Sequence, residues 1–434
     1  MFGLKSHSET REHAASYYAD SANWETRYAE LEGELNVDVA IVGGGFSGVN
    51  TALELAERGY SVALVEANRI GWGASGRNGG QVIGGMSHSL ERFERSIGTE
   101  GVNAIYAMGI ECCDIIRARV EKYSIDCDLV WGYCDVAIKE RHMRELEEAK
   151  AYEEKMGCPH QYELLDADRL SYEVASKKYI GGLLTRTGAG HCHPLNLCLG
   201  ESRAAEQLGV HLFEHSKVER IEHGKRPRVY TARGSLAANF VVLCGNAYLD
   251  NLVPYLAARV IPASSSIIAT APLSPEQVDQ TMPGNRAACD PNVALDYFRL
   301  SADKRLLFGG LSNYTGLEPS DVTSVMRDKM LDVFPSLRDV AIDFAWSGQI
   351  GIGMNRMPQL GRLEDNVFFI QAFSGHGVAP THMAARVTAQ MIAGQTERFD
   401  LYAKIKHHPF PGGRLLRRPG LALGMLYYRL KDLF

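Results

Sequence analysis

Glycines at positions 43, 45 and 48 stand in the run GGGFSG, a G-x-G-x-x-G spacing suited to holding a phosphate group. The first glycine permits a tight turn, the second lets backbone approach a pyrophosphate, and the third lets a helix pack closely on a strand. A helix beginning there offers unpaired N–H groups and a positive dipole end to the phosphates. Glu66 follows at the distance a ribose requires; its carboxylate accepts hydrogen bonds from ribose hydroxyls and repels a 2′-phosphate, which argues against NADP. The next residues, ANRIGWGASGRNGGQ (67–81), bare the backbone at Gly71, Gly73, Gly76, Gly79 and Gly80. Such backbone can lie flat against a planar ring and stabilise negative charge on it. An NAD-binding domain has no use for that segment, so FAD is the expected dinucleotide. A glycine turn that binds nothing and a solvent-exposed glycine loop are the bland alternatives.

These groups need elements to position them. VDVAIVG (37–43) is a β-branched run of the length of a buried parallel strand, 49–58 is helical in pattern, Gly59 stands where a helix stops, and YSVALVE (60–66) is a second strand. Together they form a βαβ unit with an expected right-handed crossover. Farther on, 141–156 and 195–208 read as helices, VHLFEH and KVERIEH (210–223) as a strand pair, and NFVVLCG (239–245) as another buried strand. Alternating strands fill 267–310; NVFFIQAF (366–373) returns to parallel-strand character and leads into a helix from about His376 to Ile392.

The chain has 434 residues, 45% hydrophobic and 23% charged, which sets aside collagen-like and disordered classes. Its length suggests two or three domains. A formal net charge of −6 gives no electrostatic reason to expect nucleic acid as a partner. Nine cysteines without paired spacing favour a reduced, cytoplasmic compartment. The N-terminal stretch has no apolar signal region, and no uncharged apolar stretch of eighteen residues offers a membrane span. The tail, with Arg414, Arg417 and Arg418 before LALGMLYY and then Arg429 and Lys431, is compatible with weak peripheral membrane contact or with packing on its own protein.

Two further groups are candidates. Tyr297 and Arg299 stand two apart on an expected strand and so share a face, either a substrate face or an outer sheet face. His191, Cys192 and His193 have metal-ligating side chains, but no second cluster completes a site, so no metal is expected; Pro194 and Asn196 fit the start of the following helix.

GGGFSG with Glu66 and GASGRNGGQ (73–81), CGNAY (244–248), WSG (346–348) and FSGHGVAPTH (373–382) resemble the D-amino-acid oxidase family of FAD-dependent amine oxidoreductases. SYYA (16–19), HCHPLNL (191–197), DYFRLSADKRLLFGG (296–310), NRMPQLGRL (355–363) and HPFPGGR (408–414) narrow the resemblance to its gamma-glutamyl-polyamine branch. The resemblance implies an α/β fold, a discontinuous Rossmann-like FAD-binding domain interleaved with a mixed β-sheet substrate domain. The expected division is an N-terminal arm at 1–36, an FAD-binding domain at 37–87, 158–257 and 341–400, a substrate domain at 88–157 and 258–340, and a tail at 401–434.

The resemblance also implies roles. Gly43, Gly45, Phe46, Ser47, Gly48, Glu66 and Ala67 would hold the adenosine half of FAD, with Val218 meeting the adenine through its backbone. Arg69, Gly73, Ala74, Ser75, Asn78, Gly79, Gly80 and Gln81 would line the ribityl and ring side, with Gly348 nearby. Gly245 and Asn246 would approach the pyrophosphate, and Gly375, His376, Gly377 and Val378 the pyrimidine end of the flavin. GIGMNRMP (351–358) lacks the Cys that attaches FAD in some relatives, so FAD is expected to be non-covalent. His376 and Tyr297 are the candidate catalytic residues, His376 as a base or as a hydrogen-bonding neighbour of the flavin. Tyr297, Arg299 and Trp346 are the candidate substrate contacts, with Arg299 reaching a glutamyl carboxylate and Trp346 as pocket wall or core.

The expected reaction is oxidative deamination of a primary amine, gamma-glutamylputrescine above all, giving an aldehyde and ammonia. Val378 and Ala379 stand where some family oxidases carry a Lys that assists the reaction with oxygen, leaving oxygen or another acceptor open. Glycine, sarcosine or a D-amino acid as substrate, a non-catalytic flavin subunit, and an NAD-linked dehydrogenase are the rival readings.

Overall fold

Two β-sheets organise the chain, and each arises from a different residue pattern. In the computed structural model, residues 10–87, 89–249, 252–292, 295–311 and 321–411 are described; the basic tail from Arg414 lies outside them. In chain order the described strands are β1 (Gly33–Val42), β2 (Val62–Val65), β3 (Gln81–Val82), β4 (Val130–Ala137), β5 (Tyr162–Asp166), β6 (Gly181–His191), β7 (His211–Phe213), β8 (Val218–Glu222), β9 (Arg228–Thr231), β10 (Gly234–Leu243), β11 (Ile261–Thr270), β12 (Ala287–Cys289), β13 (Asp296–Leu300), β14 (Leu306–Leu311), β15 (Ile342–Ile352), β16 (Gln359–Glu364) and β17 (Val367–Gln371).

The first sheet has the order β16-β17-β10-β1-β2-β7, with the β8–β9 hairpin attached through β9 to β10. Strands β17, β10, β1, β2 and β7 run parallel. Their apolar runs, VALV and VFFIQ among them, are buried throughout, as parallel strands covered on both faces require. Strand β1 starts at Gly33, four residues before the expected Val37, because Gly33 already pairs with Gly234. The expected strand pair over 210–223 does not form. Strand β7 instead takes the edge beside β2, and β8 pairs with β9, since His215 turns the chain with a positive φ between them.

The second sheet is mixed, in the order β15-β11-β14-β13-β12-β4-β6-β3, with β5 on β6. Among the described residues of this sheet, only β12 and β4 pair in parallel. Strands β5, β6 and β15 thus lie in this sheet, although 158–257 and 341–400 are expected in the FAD-binding domain. The reason is pairing: β6 runs antiparallel to β4, and β15 pairs along the length of β11.

The described helices are α1 (Tyr17–Asp20), α2 (Phe46–Ala56), α3 (Glu94–Lys122), α4 (Glu140–Lys155), α5 (Ala167–Leu170), α6 (Pro194–Gln207), α7 (Pro254–Ala257), α8 (Pro275–Asp279), α9 (Val322–Val333), α10 (Val378–Ile392) and α11 (Glu397–Ala403). Helix α2 begins three residues before the expected 49, because the glycine turn winds straight into it. Helices α2, α6 and α10 pack together, joined by α3, and bury Val49, Leu53, Ile116, Met383 and Val387 in one core with the first sheet. Helix α3, in the segment expected with the substrate domain, therefore covers α10. The second sheet's far face buries Phe298, Phe308, Met326, Met330 and Phe334 under α9. None of the described helices is long and apolar enough to cross a membrane.

Candidate active site

The site begins where β1 runs into α2. Gly43 has φ +112°, and a Cβ there would lie 2.9 Å from the Cys244 carbonyl carbon at the end of β10. A Cβ on Gly48 would lie 1.8 Å from the Gly43 carbonyl oxygen, so helix and strand meet without room for a side chain. Gly45 caps α2 with no side-chain hydrogen bond. Ser75 Oγ accepts the Phe46 N–H at 2.8 Å, while Ser47 is buried in the first turn. At the end of β2, Glu66 accepts the Gly44 N–H at 2.6 Å and the Asn68 N–H at 2.9 Å, and burial pushes its carboxyl up from the ordinary range. Ala67 follows it, half-buried. The Ser216 N–H donates to the Glu66 carbonyl, and Val218 opens β8 two residues on.

Beyond β2 the glycine segment folds back on itself and then onto the second sheet. Asn78 donates to the carbonyls of Ala74 and Ser75, and its Oδ1 accepts the Gly80 N–H at 2.7 Å. Gly73 rests on Tyr248, while Gly348 on β15 rests on Arg77. The Tyr297 ring lies directly beneath Gly79, where a Cβ would approach it to 2.5 Å. A Cβ on Gly80, at φ +73°, would lie 2.2 Å from the Cys192 carbonyl oxygen. This bare backbone is a cradle that side chains would fill, and it fits the flat ring system of FAD.

Arg299 shares the β13 face with Tyr297, yet it is not available to a glutamyl carboxylate. Its guanidinium is buried and donates to the carbonyls of Gly79 (2.7 Å), Cys192 (2.8 Å) and Leu300 (3.1 Å) and to the Tyr18 hydroxyl (3.0 Å). It clamps the glycine segment to the sheet. Trp346 is also no substrate contact: it is 4% exposed, its Nε1 donates to the Arg77 carbonyl at 3.0 Å, and its ring meets Tyr18 edge-on. Arg69 turns away from the ring side. It donates to the Thr26 carbonyl and faces Glu214 at 3.5 Å, tying the N-terminal arm to the body. Gln81 sends its side-chain amide to the Ala288 carbonyl at 3.0 Å. Tyr297 keeps its place, its hydroxyl 3.2 Å from Ser265 Oγ and its acidity suppressed by burial.

The far wall comes from the end of β17 and the start of α10. Ala372, Ser374 and Gly375 all have positive φ, and Gly377 caps α10 ahead of Val378 without a side-chain bond. Asn246, which follows Gly245, accepts the Ala372 N–H at 2.9 Å, so its oxygen joins the ends of β10 and β17. His376 Nε2 faces the carbonyls of Gly84 (2.8 Å) and Gly85 (3.0 Å) and must carry the proton it donates to them. Burial holds the ring below its ordinary range. Nε2 is therefore a donor in place, not a base. Behind this wall, buried Glu201 on α6 accepts from Asn50 Nδ2 (2.8 Å) and pairs with His382 Nε2 (2.7 Å). Asn50 also donates to the Phe46 carbonyl, and His382 Nδ1 lies 2.7 Å from the Val378 carbonyl. One carboxylate thus ties the first turns of α2 and α10 together.

Other residues of the site are named by the sequence but not placed by it, or escape it altogether. Tyr18 is fully buried between Arg299, His193 and Trp346, and burial pushes its hydroxyl up to about 12. The SYYA run names it but not its depth. His193 caps α6, accepting the Asn196 N–H at 3.1 Å ahead of Pro194 at the first helical position, and His191 faces the Asn285 carbonyl. Ile83, just past Gln81, packs on the cluster of Tyr133, Ala189 and Ala287 in the second sheet.

The family of FAD dependent oxidoreductases known as DAO matches residues 38–391. The chain belongs to the DAO family. It is therefore an enzyme that uses FAD, and its strands and helices have the DAO fold. It is similar to the gamma-glutamylputrescine oxidoreductase of Escherichia coli, 44% identical over 97% of this chain and 99% of that one. A probable oxidoreductase of Haemophilus influenzae is 38% identical over 97% of this chain and 98% of its own. Among solved DAO-like structures, glycine oxidase from Geobacillus kaustophilus superposes with a TM-score of 0.69 at 21% identity, covering 86% of this chain and 99% of that one.

Proposed function

We propose that this enzyme oxidatively deaminates the primary amine of a gamma-glutamyl-polyamine, gamma-glutamylputrescine first, to an aldehyde and ammonia. The end-to-end likeness to a gamma-glutamylputrescine oxidoreductase carries this reading. FAD bound in the cradle supplies the acceptor for the two electrons of the C–H bond. The chain's own residues bind and orient. In this reading Gly43–Gly48 and the start of α2 meet the pyrophosphate, Glu66 the ribose, and the bare backbone of 73–80 the ring. The start of α10, from Gly375 to Val378, would turn its positive helix end toward bound FAD and stabilise negative charge there. No cysteine stands in 351–358, which supports non-covalent attachment. All nine cysteines are free thiols, which supports a cytoplasmic setting. The second sheet's Tyr297 face, apolar toward Ile83 and Tyr133, favours the neutral amine by desolvation, since an ordinary alkylammonium has a pKa of about 10.4. Oxygen or another acceptor then reoxidises the enzyme.

Anaerobic titration with a panel of amines, followed by loss of the flavin's visible absorbance, tests the proposal. Bleaching by gamma-glutamylputrescine is expected. Bleaching by glycine, sarcosine or D-alanine alone would reject it, and repeating the panel in air while following peroxide settles the acceptor.

A further inference from the structure

One carboxylate on the cradle side of the second sheet has no role in the site so far. Asp135 lies on β4, in register with Cys289 of β12, which is in register with Tyr297 of β13. Residues in register on neighbouring strands point to the same face, so Asp135, Cys289 and Tyr297 form one row across the sheet. Two observations fix which face this is. Tyr297 supports Gly79, and Ile83 and Cys289 both pack on the cluster of Tyr133, Ala189 and Ala287, whereas Cys134 and Val136 enter the core on the opposite side. The row therefore looks toward the glycine segment.

Asp135 is partly buried, and no hydrogen bond or ion pair reaches its carboxylate among the described residues. A carboxylate in so apolar a place is costly unless a cation or donor meets it. Every described arginine of the cradle is already committed, Arg299 to carbonyls and Arg77 to Trp72 and Ser347. The titratable groups sharing its face are Tyr133, Cys289 and, one strand farther, Tyr297, with Tyr162 and Asp166 of β5 on the other side. Burial first, and the Asp135 charge after it, raises the Cys289 thiol, which places the two groups close together. Burial alone pushes the Asp135 carboxyl up to about 7.

We propose that Asp135 is the binding site for the substrate's alkylammonium group and takes its proton. The inference rests on the amine reading above and names the group that recognises the amine. One N–H bond of the ammonium breaks and one O–H bond forms on Asp135, leaving a neutral amine whose adjacent C–H bond can be oxidised. The proton stays on Asp135 until the ammonia released by hydrolysis of the imine carries it away as ammonium. Asp135 is then a specificity device as well: a substrate arriving as an alkylammonium gains a partner, whereas a neutral amide does not.

The test compares wild type with Asp135→Asn, which keeps the shape, and Asp135→Glu, which keeps the charge, each as FAD-loaded holoenzyme. Anaerobic bleaching is followed from pH 6 to 10 with gamma-glutamylputrescine and separately with glycine. At neutral pH Asp135→Asn is expected to need at least about tenfold more gamma-glutamylputrescine, with unchanged FAD content. Its bleaching rate should keep climbing with pH toward the amine's own ionisation, where the wild type levels off. Asp135→Glu should recover part of both. Equal concentration dependence and pH profiles in wild type and Asp135→Asn would overturn the role of Asp135 and leave the amine reading standing. Bleaching of the wild type by glycine alone would overturn both. If Asp135→Asn loses FAD, Asp135→Glu decides: a wild-type pH profile supports the inference, and a profile lacking the plateau overturns it.

Discussion

The two walls of the site are held by different means. On the nucleotide wall, backbone meets backbone: Gly43 against Cys244, Gly48 against Gly43, and two helix starts drawn together through Glu201. On the opposite wall, side chains of the second sheet hold a loop with little shape of its own: Arg299 grips Gly79, Trp346 grips Arg77, and Tyr297 fills the space beneath. The first wall leaves almost no room for an added atom, because backbone stands against backbone. On the second, a Cβ at Gly79 would meet a side-chain ring, and the loop depends on a few donors, so the two should fail differently when altered.

The largest effect is expected at Gly48. Alanine there would put a Cβ 1.8 Å from a backbone oxygen, which no rotamer relieves. Gly48→Ala should give protein that is poorly folded or free of flavin, read from yield and from the ratio of visible to ultraviolet absorbance; a normal ratio would mean that the turn is looser than described. Arg299→Ala comes next. It strips the donor from three carbonyls, at about 1–3 kcal/mol for each that stays buried and unsatisfied. Thermal stability and FAD retention should both fall, and the loss should be similar for glutamyl amines and simple amines. A defect confined to glutamyl substrates would restore a substrate role for Arg299.

Glu201→Gln should cost less, about 1–3 kcal/mol, because one of its two hydrogen-bonded donors loses its acceptor and the buried Arg119 guanidinium 3.8 Å away loses a counter-charge. Its mark should be weaker FAD binding than the fall in melting temperature alone explains, measured by fluorescence titration; parallel changes would make Glu201 merely structural. Glu66→Ala should be the mildest for the fold, since Glu66 is only half-buried, yet it should weaken FAD binding about tenfold. Unchanged affinity would remove Glu66 from the ribose.

The same contrast explains what the sequence could show. The nucleotide wall was legible because its physics is local: a glycine spacing, a β-branched run and a carboxylate at a fixed distance follow one another within 30 residues. The pairing of β1 with β10, 200 residues on, was not needed to read it. The second wall is assembled from distant strands, so spacing could show that Tyr297 and Arg299 share a face but not that the face meets Gly79. Spacing and resemblance therefore point Arg299, Trp346 and Arg69 toward small molecules, whereas their partners are this chain's own carbonyls and carboxylates. Asp135 was invisible for the same reason: in VWGYCDVA nothing distinguishes it until β12 and β13 line up beside β4.

The central claim is that bare backbone at Gly79 lies flat between the Tyr297 ring and the flavin. FAD affinity of Gly79→Ala, measured beside Tyr297→Ala and the double variant, tests it most directly. A Cβ at 79 would sit 2.5 Å from the ring, so Gly79→Ala should bind FAD at least about tenfold more weakly, and removing the ring should return much of that loss. If Gly79→Ala binds FAD as tightly as the wild type, the cradle is not where the ring rests and the account fails.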